Sequence, residues 1–215
     1  MNVVVTMIVG LGLVLSPWLA APARAGAPLE QLKAQIERVL RIMEDPEMKK
    51  ESQSRERRMA VRKVADEIFD FQETAKRSLA RHWQPRTPAE QMEFVRLFAD
   101  LLERSYISRI ELYGGEKIAY LGDALDGEQA VVRTRIVTKS GTEVPVDYRM
   151  LKRSDRWLVY DVVIEGVSLV ANYRTQFNKI IQTASYQELI TKMKNSQGEF
   201  NAPGGPREKD KTPRS

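Results

Sequence analysis

The chain has 215 residues, of which 42% are hydrophobic and 29% charged, with a net charge of +5, no cysteine and one histidine. That length and apolar content suit one domain with an ordinary core. The missing thiols exclude disulfides, cysteine nucleophiles, thiolate metal sites and lipoprotein anchoring, and a lone His leaves little for metal or proton-shuttle chemistry.

Val3 to Leu15 is an apolar run too short to span a bilayer comfortably, and the small-x-small site Ala23-Arg24-Ala25 follows it. This reads as a secretory signal peptide cleaved after Ala25, although its n-region lacks Lys and Arg. The mild positive balance of an exported chain argues against nucleic acid as partner and permits contact with anionic lipid or an acidic protein surface.

From Pro28 a helix places Leu29, Leu32, Ile36, Val39, Leu40 and Met43 at helical spacing and ends near Asp45-Pro46. Lys49 to Lys63 is crowded with charge, including Arg55, Arg57, Arg58 and Arg62, before Val64, Ile68 and Phe69 resume an apolar stripe. We read this run first as a solvated helix face and second as a docking patch. Asp70 precedes a shorter helix, Phe71 to Trp83, that stops at Pro85. His82 has no His, Asp or Cys near it in sequence and reads as structural or surface rather than catalytic.

Thr87-Pro88-Ala89-Glu90 is a capping box with proline at the first helical position. The helix it opens carries Phe94, Val95, Phe98, Leu101, Leu102, Tyr106 and Ile110 along one stripe until Gly114-Gly115. A strand from Lys117 to Leu121 leads into three more, Ala130 to Thr138, Thr142 to Leu151 and Arg156 to Ile164, separated by turn-forming residues. In the middle one Val144, Val146, Tyr148 and Met150 share a face opposite Glu143, Pro145, Asp147 and Arg149. Ser168 and Ser185 cap two further helices, and from Gly198 the tail has too little apolar surface to order. The expectation is a single α+β domain over residues 26–197. It has a twisted antiparallel sheet of about four strands, with helices packed on its apolar face and the long helix laid across the meander.

Chemistry is sparse. No phosphate loop, metal-ligand cluster or catalytic triad order emerges, so no cofactor, no metal and no enzyme activity is expected. Asp161 and Glu165 are too far apart on an extended segment to share a proton and read as capping or backbone-bonding groups.

The run Trp157-Leu158-Val159-Tyr160-Asp161-Val162-Val163-Ile164-Glu165-Gly166-Val167-Ser168-Leu169, followed by Asn172-Tyr173-Arg174, resembles the MlaC or toluene-tolerance family, as does Thr87-Pro88-Ala89-Glu90 with Leu102-Glu103-Arg104-Ser105-Tyr106. The resemblance spans roughly Pro28 to Asn195. It implies a periplasmic phospholipid-binding carrier that serves an ABC transport system between the outer and inner membranes. The implied partners are a phospholipid ligand, an inner-membrane ABC transporter complex and an outer-membrane lipoprotein complex, with the chain itself a monomer and Arg55 to Lys63 one possible contact. A hopanoid-associated branch shares the pattern, and an exported scaffold with a solid core is the alternative outside lipid binding.

With the resemblance, the expected fold encloses a lipid-sized apolar cavity that holds the tails between the long helix and the meander, lined by Leu102, Tyr106, Val144, Val146, Tyr148, Trp157 and Val167. Leu102 and Tyr106 stand one turn apart on the helix, Val144, Val146 and Tyr148 alternate onto one sheet face, and Val167 falls at the bend between sheet and helix.

Overall fold

The computed structural model describes residues 27–111, 113–195 and 200–202. The signal segment and nearly all of the C-terminal tail fall outside those residues. Two helices, α1 (Ala27–Glu44) and α2 (Ser54–Ile68), lead into α3 (Phe71–Leu79) and the long α4 (Pro88–Glu111). Five strands follow, β1 (Lys117–Asp126), β2 (Gln129–Val137), β3 (Glu143–Arg153), β4 (Arg156–Ile164) and the two-residue β5 (Val167–Ser168), before α5 (Leu169–Thr183) and α6 (Tyr186–Asn195).

The strands form one antiparallel sheet in sequence order, so every connection is a hairpin. The fifth strand was not foreseen. Glu165 and Gly166 both have positive φ, which makes a tight two-residue turn and brings Val167 back against Ile164. A bulge in β4 falls at Tyr160, since Met150 pairs with Val159 and the neighbouring Arg149 with Asp161. The extra residue changes the alternation, so that Trp157 and Val159 before it and Val162 and Ile164 after it face the same side. Phe69 bridges to Val159 and the Asp70 amide donates to the Val159 carbonyl at 2.9 Å, which covers part of the edge of β4.

The helix ends use the expected residues. Asp70 accepts from the Glu73 amide, Thr87 and Glu90 close their box from both sides, Ser168 accepts from the Ala171 amide and Ser185 from the Glu188 amide. The packing of α4 differs from expectation. The helix that lies on the sheet is α1, which touches β1, β2 and β4, whereas α4 packs on α3 and α6 and stands off from the strands. The cause is the aromatic side of α4. Phe94 and Phe98 interlock edge-on with Phe177 of α5, at 5.6 and 5.2 Å between ring centres, and Phe98 with Tyr173 at 5.1 Å.

The tail also departs from expectation at one point. Phe200 is buried and meets Phe177 edge-on at 5.7 Å, and the Asn201 amide donates to Gln176 at 3.0 Å. The Asn201 carbonyl also accepts from the side chains of Asn172 and Gln176, so one buried ring and three hydrogen bonds hold this point of the tail on α5.

Candidate lipid-binding cavity

The stand-off between α4 and the sheet leaves a cavity of about 630 Å³, within the usual size range of small-molecule sites. Its sheet wall is Ile136 of β2, Val144, Val146 and Tyr148 of β3, and Val162 and Ile164 of β4. Opposite stand Ala99, Leu102, Tyr106 and Ile110 of α4. The sides are closed by Leu32, Ile36, Val39 and Leu40 of α1 and by Val61, Ala65 and Ile68 of α2. Aliphatic side chains of α1, α2, α4, α5 and strands β1 to β4 thus face the space, and among the described residues its lining contains three charged ones, Arg62, Glu103 and Glu116.

Five of the seven residues chosen from sequence line this space: Leu102, Tyr106, Val144, Val146 and Tyr148. Trp157 does not. It is on the inner face of β4 but at the far end of the strand, roughly 15 Å from Val162 at an ordinary strand rise. There it is buried in the same cluster as Leu29 and Leu32 of α1, and its amide donates to the Gln31 side chain at 2.8 Å. Val167 does not either. The tight turn at Glu165-Gly166 carries it to the sheet edge, where it is 48% exposed, and Leu169 two residues on lines the cavity instead. The contributions of α1 and α2 were not selected, although the stripe Ile36, Val39, Leu40 was visible; nothing in its period says which surface it meets.

Tyr148 brings the one phenol on the sheet wall. Burial pushes it up to about 12, with Tyr120 nearby adding to the shift, so it stays neutral across the physiological range. At the end of the cavity where Tyr113 and Glu116 stand, the backbone amide of Gly114, first, holds the Glu116 carboxyl below its usual range.

Asp161 proves to be a joint rather than an acid. It is 2% exposed and accepts from the Val170 amide at 3.0 Å, the Ser168 hydroxyl at 2.7 Å and Arg149 at 3.0 Å. A carboxylate at the first turn of α5 also suits the helix dipole, and these bonds fix the strand-to-helix corner that presents Leu169. His82 makes a 3.1 Å contact with Asn178 and has no part in the cavity.

The charge run on α2 is only partly a solvated face. Arg58 and Arg57 reach Glu111 of α4 at 2.8 and 3.4 Å, and hydrogen bonding from Arg58 holds the Glu111 carboxyl below its usual range. Arg62 reaches Asp66 at 3.0 Å, Asp100 of α4 at 3.6 Å and Glu103 of α4 in a short contact. Ion pairs therefore span the seam between α2 and α4, and the sequence hid this because the partners are about 40 to 55 residues away.

A sequence model described as MlaC protein matches residues 33–195. The chain belongs to the MlaC family. A curated relative, the intermembrane phospholipid transport system binding protein MlaC of Haemophilus influenzae, is 28% identical over 116 residues, covering 51% of this chain and 54% of its own. The chain thus spans about half the length of that MlaC relative. A phospholipid-binding protein from Ralstonia solanacearum, solved in complex with a phospholipid, superimposes with a TM-score of 0.67 at 26% identity, over 78% of this chain and 94% of the other.

Proposed function

We propose that this chain binds a phospholipid with its acyl chains in the cavity and carries it between the outer and inner membranes as the soluble component of an ABC transport system. The cavity is the observation that carries this reading. Two acyl chains hold roughly 25 to 30 methylenes at about 0.8 kcal/mol each, so bare diffusion through water faces on the order of 20 kcal/mol. A pocket lined by aliphatic side chains removes that penalty. Because it need only match the apolarity of a bilayer, transfer is near neutral and needs no nucleotide chemistry in this chain.

In this reading the tails contact Leu102, Tyr106, Val144, Val146 and Tyr148, together with the α1 and α2 side chains opposite them. The chain works in the periplasm after loss of residues 1–25, as a binding protein rather than an enzyme. It docks in turn on an inner-membrane ABC transporter complex and an outer-membrane lipoprotein complex. The scaffold alternative calls for a solid core, which a hollow of this size and lining speaks against.

Organic extraction and mass spectrometry of the purified protein test the reading. Stoichiometric phospholipid is the expected result. Folded preparations that are free of lipid, and that take none from vesicles, overturn it; a hopanoid in place of phospholipid reassigns the cargo.

A further inference from the structure

A cavity that holds acyl chains must also end them, and its two ends differ. At one stand the Glu116 carboxyl and Tyr113, whose hydroxyl donates to Glu44 at 3.0 Å. The other is closed by Phe69, Phe71 and Leu169. The two rings stack at 5.6 Å, and the residue between them is tied to the sheet, the Asp70 amide donating to the Val159 carbonyl at 2.9 Å and its carboxylate accepting from Arg153 at 2.8 Å. Leu169 stands on the corner that Asp161 holds. This end is a rigid apolar floor. From Ala99 to Ile110 the lining follows α4 for about 16 Å at the helical rise. The hydrocarbon of one bilayer leaflet is about 15 Å deep. The hollow is thus one tail long, and the side chains beside its floor decide how long that tail can be.

Among the described residues, two side chains of the lining are as short as alanine, Ala65 of α2 and Ala99 of α4. They belong together. Arg58 pairs with Glu111, and Arg62 reaches Asp100 at 3.6 Å and also pairs with Glu103, so α2 and α4 run antiparallel. That register brings Ala65, one turn after Arg62, towards Ala99, one turn before Glu103. Both methyls are near the floor, because the Arg62 guanidinium lies over the Phe71 ring at 5.8 Å. We infer that Ala65 and Ala99 set the upper limit on acyl-chain length, the space beside their methyls taking the last carbons of the tails. The inference rests on the proposed lipid binding and assigns the chain-length specificity of that same cavity. The floor is tied to β4 and does not retreat, so a larger side chain at either position takes room from the tail. Leu has three more carbons than Ala, enough to displace about two methylenes from a close-packed hollow. A methylene left in water weakens binding about fourfold, so two weaken it on the order of tenfold.

The test uses the delipidated full chain and vesicles of dioleoyl phosphatidylcholine carrying equal small shares of dilauroyl, dimyristoyl, dipalmitoyl and distearoyl phosphatidylethanolamine, which differ in tail length alone. Mass spectrometry of the lipid recovered with the protein gives the ratio of distearoyl to dilauroyl lipid. Dividing by the wild-type ratio removes the unequal ease with which these lipids leave the vesicle. Ala99→Leu and Ala65→Leu are each expected to lower the ratio about tenfold while dilauroyl lipid stays bound, and the double variant to lower it further. Equal loss at every length means that the new side chains narrow the cavity without measuring the tail, and overturns the inference. An unchanged ratio at full loading overturns it as well. Should Ala99→Leu fail to fold, Ala65→Leu decides from the opposite helix. Unfolding of both means that no open space lies beside these methyls, which again contradicts the assignment. Wild type that takes up no lipid at all, the host lipid included, sinks the lipid-binding reading itself.

Discussion

The two hydrophobic clusters of this domain fill space in different ways. Where α3, α4, α5 and α6 meet, Phe94, Phe98, Tyr173 and Phe177 are fully buried and in mutual ring contact, edge to face between α4 and α5, and Leu189, Ile190 and Met193 complete a solid mass. Between α1, α2 and the sheet the side chains are mostly Val, Ile and Leu, and they surround an opening. Rings with fixed mutual angles specify one packing, whereas branched aliphatics around a hollow leave room for a flexible guest. The same chain thus holds a closely interlocked frame beside a wall that encloses open space.

Mutations should separate the two regions, and the largest effect belongs to the frame. Phe177→Ala removes a ring that touches Phe94, Phe98, Tyr173 and Phe200, and should cost about 3 to 5 kcal/mol in urea unfolding. A loss below about 1 kcal/mol would mean that the helical half is no better packed than the cavity. Val144→Glu puts a carboxylate on the wall, where half-exposure and the open space let water reach it. Lipid should be lost from the purified protein while stability falls by less than about 1.5 kcal/mol. Cooperative unfolding at room temperature would show that Val144 belongs to a solid core after all.

Alkaline titration offers a smaller, more local contrast. Burial raises both Tyr148 in the wall and Tyr186 in the frame to about 12 from an ordinary 10. A folded-state value above the unfolded one means stability that is complete below about pH 10 and lost as pH climbs towards about 12. Tyr148→Phe should flatten that loss. Lipid loading should push the Tyr148 titration higher and leave Tyr186 where it is, as read by phenolate absorbance in the two Tyr→Phe variants. The smallest effect is expected at the sheet edge, where Val167→Glu should change stability by no more than about 0.5 kcal/mol and leave lipid bound.

Much of this was legible in the residues. The bounds of β4, the box at Thr87 and Glu90, and the cap at Ser168 follow from local chemistry, and local chemistry is what sequence spacing reports. Period also placed Val144, Val146 and Tyr148 on one face correctly. It could not say how far along that face the hollow extends, so Trp157 was included at the end that α1 fills. Val167 failed for another reason, because a two-residue turn with both φ values positive reverses the chain before the bend can become a rim. The burial of Phe200 and the pairing of Arg57 and Arg58 with Glu111 depend on partners far away in the chain, and no window of local pattern contains them.

The docking of α1 on the sheet has a consequence in time. Its amino-terminal turns are tied to β4 through Gln31 and the Trp157 amide, a separation of 126 residues. At roughly 5 to 20 residues per second, a ribosome needs on the order of ten seconds to make that intervening stretch. Throughout it the stripe of Leu29, Leu32 and Ile36 exists without the strand that will cover it. Although α1 comes first among the described elements, it is therefore among the last to find its place, and the chamber it closes comes into being only once β4 has been made.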